Sequence, residues 1–151
     1  MTSNEQHFKR DAWLSQRHRL WGYNVPAMDI DFLMVEYDKC VPKALIDYKH
    51  EHAAIDLTNV GARTLCKLGD MAHIPVFIVR YGHSNQDGWW GEIAEDSIPW
   101  FEIWPLNEIA RKQTLWNNKR IDEHAMVEFL YELRGRIIPK EVSDQIPHQN
   151  I

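Results

Sequence analysis

Residues His73-Ile-Pro-Val-Phe-Ile-Val-Arg-Tyr81 form one nearly continuous apolar run, the pattern of a strand covered on both faces. The stretch before it, 59–72, reads as a helix with Val60, Leu65, Leu68 and Ala72 as an apolar stripe for packing on a sheet. A helix leading directly into a buried strand predicts a crossover connection within one sheet, and so an α/β fold.

Upstream lie two more β-rich runs, Pro26-Ala-Met-Asp29-Ile-Asp31-Phe-Leu-Met-Val-Glu-Tyr-Asp38 and Lys43-Ala-Leu-Ile-Asp47-Tyr-Lys49. Lys39-Cys-Val-Pro42 between them carries turn residues, so the pair reads as a hairpin. Side chains alternate along a strand, which puts Asp29, Asp31, Leu33 and Val35 on one face and Asp47 with Lys49 on one face of the second strand. A turn centred near Cys40 sets Asp31 opposite Tyr48 or Lys49. Charges interrupting mostly buried strands need a reason, because an unpaired buried charge is costly. A divalent-metal phosphodiesterase supplies one. Hard cations choose carboxylate oxygens, a bound metal activates water, and a nearby lysine stabilises charge in the transition state.

The acid on one strand followed by Asp47-x-Lys49 on the next resembles the PD-(D/E)xK nuclease superfamily. The resemblance covers roughly residues 4 to 81 and implies a core ordered helix, three strands, helix, strand. It implies a restriction-endonuclease-like mixed central sheet flanked by helices. It also implies a magnesium- or manganese-dependent deoxyribonuclease with Asp31, Asp47 and Lys49 as catalytic residues. Asp31 and Asp47 would hold the metal, with Asp29 as an alternative ligand, and DNA would be the substrate. Two departures stand out: Pro26 is not adjacent to the acid, and the second acid is Asp where Glu is commoner. A helix from Ser3 or Asn4 to about Trp21, with Phe8, Ala12, Trp13, Leu20 and Trp21 as its apolar stripe, occupies the place of the superfamily's first helix. Glu5 is the glutamate it could lend to the site. Arg63 and Lys67, four apart on the 59–72 helix, are candidate nucleic-acid contacts, as are Arg17 and Arg19 on the first helix.

The chain has 151 residues and fits one domain, 1–138, with a loose, flexible tail over 139–151. A net charge of −5, from 17 basic and 22 acidic residues, argues against a protein that coats DNA by bulk electrostatics. Basic residues are nevertheless clustered, and Arg111, Lys112, Lys119 and Arg120 form a stretch without an acid that could meet phosphates. His50 and His52 would face away from Asp47 and Lys49, and read as structural or solvated. Trp89-to-Glu95 and Ile98-to-Trp104 read as further strands, with most of their tryptophans in the core. Asp122 reads as the cap of a helix through Leu133 with Ala125, Met126, Phe129, Leu130 and Leu133 inward. Cys40 and Cys66 read as reduced thiols of a cytoplasmic protein, and no apolar run is long enough to span a membrane. The aromatic later strands offer surface for a homodimer. The alternative function is a binding or interaction module on the same fold, without turnover.

Overall fold

The computed structural model describes residues 3–21, 26–82, 98–113, 119–146 and 148. Along the chain run α1 (Ser3–Leu20), β1 (Phe32–Glu36), β2 (Val41–His50), α2 (Val60–Ala72), β3 (Val76–Tyr81), β4 (Phe101–Pro105), α3 (Glu108–Gln113), β5 (Arg120–Ile121), α4 (Glu123–Leu133) and α5 (Lys140–Gln145). The strands form one sheet in the order β1-β2-β3-β4-β5. β2 and β3 are parallel, joined through α2, and every other neighbouring pair is antiparallel. The fold is therefore mixed α/β, a five-stranded sheet flanked by helices, with the apolar run at its centre as expected. Among the described residues two strands, not three, precede α2. The strand expected over 89–95 lies outside the described residues.

The hairpin turns earlier than expected, between Glu36 and Val41, and its ladder then carries one irregularity. Phe32 pairs with Ile46 and Met34 with Ala44, but Val35 pairs with Pro42, so Lys43 is an extra residue on β2. This is a β-bulge. The strands are joined through a 3-10 turn at Tyr37–Lys39, closed by Cys40 in the left-handed region (φ 56°). β1 begins at Phe32, so Asp29 and Asp31 precede the strand that was expected to include them.

α2 starts where Asn59 caps it, the side chain accepting from Ala62 N at 2.8 Å. It ends in a reverse turn: His73 adopts φ 58°, its N–H reaching Asp70 O while Ile74 N–H reaches Gly69 O. That turn is why β3 starts at Val76 and not at His73. The expected stripe is partly displaced, because Val60 and Leu68 are exposed while Ala62, Leu65 and Gly69 are buried. The reason is close approach: a Cβ on Gly69 would collide with the Val76 side chain. Small residues face the sheet so that the helix can lie against it. Asn107, buried ahead of α3, ties this corner together. Its Oδ1 accepts from Val76 N and Ala110 N, and its Nδ2 donates to Ile74 O and Asp70 Oδ1.

The two sheet faces are unequal. One carries the larger core, in which Ile46, Phe77, Val79 and Ile103 pack with Met126 and Phe129 of α4. On the α2 face, among the described residues, a smaller group of Leu45, Leu65, Ile74 and Val76 is buried together, with Leu106 beside them. Asp122 caps α4 as expected, accepting from Ala125 N at 2.8 Å. Residues 140–145, expected to be loose, form α5. His124 explains the difference: its ring is buried, with Nε2 2.7 Å from Ser143 Oγ and Nδ1 2.8 Å from Glu128 Oε1. Trp100 is buried, which removes it from the apolar surface expected to support a homodimer. By contrast, Trp13 and Leu20 of α1 and Trp21 just after it are exposed, so this part of the expected stripe is not packed, while the side chain of Phe8 lies outside the described ones. Among the described residues no helix is long and apolar enough to cross a membrane.

Candidate active site

Strand alternation aims Asp47 and Lys49 at the α2 side of the sheet, the same side as Leu45. Phe32 pairs with Ile46, so the next step outward sets Asp31 beside Asp47, rather than opposite Tyr48 or Lys49. The turn lies between Glu36 and Val41, centred ahead of Cys40, which moves the partner of Asp31 toward the turn, and the extra residue Lys43 restores one position of that shift. Lys49 Nζ lies 3.3 Å from Asp47 Oδ2. The three side chains expected to converge therefore do so, at the open end of the hairpin.

They line a cleft of about 340 Å³ together with Asp29, Asp56 and the first turn of α2 at Asn59, Gly61 and Ala62. Ile78 of β3 forms its floor beside Asp47, its partner in the ladder. The electrostatics are strained. Burial, and then the neighbouring Asp31 carboxylate, push the Asp47 pKa above the usual carboxylate range, while Lys49 pulls it down. Asp56 is held differently: Thr58 donates both its hydroxyl (2.7 Å) and its N–H (2.9 Å) to Oδ1, which lowers the Asp56 pKa. That Asx turn leads the chain into the Asn59 cap. The Asp56-x-Thr58-Asn59 run is a readable turn-and-cap signal, although nothing local to it says that it borders a cleft.

Other candidates fall elsewhere. Asp29 lines the cleft, but among the described residues no group of three His, Cys, Asp or Glu side chains converges closely enough to cage a metal. Arg63 and Lys67 are exposed on α2 and do not line the cleft, and neither do Arg17 and Arg19, exposed on α1. The side chain of Glu5 lies outside the described residues. His50 and His52 stand with ring centroids 5.0 Å apart, and His50 also meets Tyr81 edge to face at 5.7 Å. They keep to the end of β2, away from the carboxylates, as alternation predicts.

The two carboxylates fit a hard divalent cation. Magnesium is commonly held by one or two carboxylates and keeps several waters, and the cleft has room for those waters. A cation there would also relieve the repulsion between Asp31 and Asp47. Comparison with protein-family models, with curated proteins and with solved structures gives no match to this chain.

Proposed function

We propose that the chain is a magnesium- or manganese-dependent nuclease that hydrolyses phosphodiester bonds, built on a restriction-endonuclease-like variant of its mixed sheet. The observation that carries the proposal is the arrangement of Asp31 beside Asp47 with Lys49 3.3 Å from Asp47, inside one cleft. Asp31 and Asp47 would hold the metal, and the bound ion would supply charge neutralisation and an acidified water. Lys49 has an ammonium that donates up to three hydrogen bonds. One goes to Asp47, which aims the others into the cleft, toward an attacking water or a non-bridging phosphate oxygen. The first turn of α2 presents its positive end to the same space, a favourable position for an anionic group.

A second reading keeps the cleft as a binding site without turnover. It is favoured by one finding: two acidic side chains, not three, converge among the described residues. One experiment separates them. The purified protein is incubated with single-stranded DNA, duplex DNA and RNA, with magnesium, manganese or chelator, and metal binding is followed by calorimetry. Metal-dependent cutting that Asp47→Ala abolishes supports the nuclease. Metal binding without cutting of any polymer supports the binding module. Neither binding nor cutting removes both.

A further inference from the structure

From Lys49 at the edge of the cleft, the same sheet face continues into charges that the proposed chemistry does not use. The strand pairings align Lys49 with Arg80, Arg80 with Glu102, and Glu102 with Arg120, one residue from each of β2, β3, β4 and β5. Directly paired residues point the same way, so all four stand on the side of Asp47. The row holds three cations and one anion in a chain whose net charge is −5.

The row is held in place. Glu102 is buried and grips both arginines: Arg80 Nε and Nη2 reach Oε1 at 2.8 and 2.7 Å, and Arg120 Nε reaches Oε2 at 3.2 Å. Arg120 also lies over the Trp100 ring, 3.9 Å from its centroid, with Arg80 at 5.7 Å. Trp100 in turn packs on Gly82, where any Cβ would collide with the indole, and Gly82 N–H donates to Trp100 O at 2.9 Å. One carboxylate cannot neutralise two guanidiniums, and each guanidinium has five donors. The side chains remain accessible, with 39 % exposure at Lys49, 26 % at Arg80 and 51 % at Arg120.

We propose that Lys49, Arg80 and Arg120 form a phosphate-binding row that carries the polynucleotide backbone away from the Asp31–Asp47 pair across β3, β4 and β5. The proposal rests on the nucleic-acid reading of the cleft but not on turnover. Three strand spacings of about 4.8 Å give the row a reach of roughly 14 Å. Along the axis of a duplex that is about four rises of 3.4 Å per strand. The ligand chemistry is the phosphodiester backbone, and rigid arginine forks suit it better than lysine does.

The test is fluorescence anisotropy of a labelled single-stranded oligonucleotide and of its duplex, in chelator so that nothing is cut, over a range of salt. Each lost phosphate contact lowers the slope of log K against log salt by about 0.7 for a single strand or 0.9 for a duplex. Arg80→Gln and Arg120→Gln should each show that drop, with the larger effect identifying the strandedness. Arg120→Lys should keep the slope, and Lys140→Gln on α5 should change nothing. Glu102→Gln should tighten binding. Wild-type binding with these slopes but no cutting under any metal sustains the row and removes the nuclease. Cutting that Arg80→Gln and Arg120→Gln leave intact, with unchanged slopes, removes the row and leaves the nuclease. No binding of either oligonucleotide by the wild type also overturns the row.

Discussion

Asp31 stands one step outside the ladder that pairs Phe32 with Ile46, and so lies beside Asp47 from the segment that leads into β1. Two carboxylates thus meet where one is fixed by a central strand and the other by a loop. Burial, and then the Asp31 carboxyl beside it, raise the Asp47 pKa. A carboxyl whose folded pKa lies above its unfolded value of 3.8 contributes stability at low pH that is lost as pH rises through the folded pKa. In chelator at neutral pH, Asp47→Asn should therefore melt above the wild type, and the gain should shrink as pH falls below the raised pKa. Magnesium should raise the wild-type Tm and leave Asp47→Asn unmoved. Identical metal responses in the two proteins would mean that the pair is not the cation site.

Lys49 bonds to Asp47 from a position that is more than a third exposed, so its ion pair adds little to stability. Lys49→Ala should fold and bind metal like the wild type, yet lose about 10²–10³ in single-turnover rate. Asp47→Ala should instead lose metal affinity. Full cleavage by Lys49→Ala would show that the lysine has no part in the chemistry.

The convergence of Asp31, Asp47 and Lys49 was readable because it is local. Asp47 and Lys49 lie two apart on a strand, and Asp31 lies across a short hairpin. β3 and the Asp122 cap were readable for the same reason. The Lys43 bulge was not, because a ladder with one extra residue has the same composition as one without. The buried face of α2 was also misread: apolar size suggested Val60 and Leu68, whereas close approach to Val76 selects Ala62 and Gly69. Arg80, Glu102 and Arg120 are 18 to 40 positions apart and meet only through β3, β4 and β5 pairing. No spacing in the sequence announces them as a group.

Gly69 tests the close approach of α2. Gly69→Ala would drive a methyl group into Val76, with Ile74 O only 3.0 Å away and Asn107 Nδ2 3.1 Å away. Elsewhere in a helix that change is stabilising by roughly 0.5–1 kcal/mol. Here overpacking should dominate and destabilise by about 1–3 kcal/mol in urea unfolding. A more stable Gly69→Ala would mean that the helix stands off the sheet.

Glu36 links the end of β1 to the segment after α4. Arg136 grips it with Nε at 3.2 Å and Nη2 at 2.8 Å, and Arg134 adds Nη2 at 3.4 Å. The Arg136 hydrogen bonds hold the Glu36 pKa below its ordinary value of 4.5. Its stabilising effect is present above that value and lost as pH falls through the lowered one. Glu36→Gln should reduce Tm at pH 7 and flatten the acid limb of the stability curve. An unchanged acid limb would assign that limb to other carboxylates.

Ser143 fastens α5 through the buried His124 ring at 2.7 Å. Ser143→Ala should remove about 1 kcal/mol. It should also abolish amide-exchange protection in 140–145 while sparing α4. Equal loss of protection in both helices would show that they open as one unit.

The surplus residue at Lys43 has a consequence for how this chain tolerates changes of length. It sits between the turn and the paired end of the hairpin, so the ladder on either side is regular without it. Excising it would close the two regular stretches on each other and leave Phe32 still opposite Ile46. Losing any one residue between Phe32 and Met34, or between Ala44 and Ile46, would instead rotate one carboxylate out of the cleft. The hairpin thus has one dispensable link, placed where it insulates the acid pair from insertions and deletions around the turn.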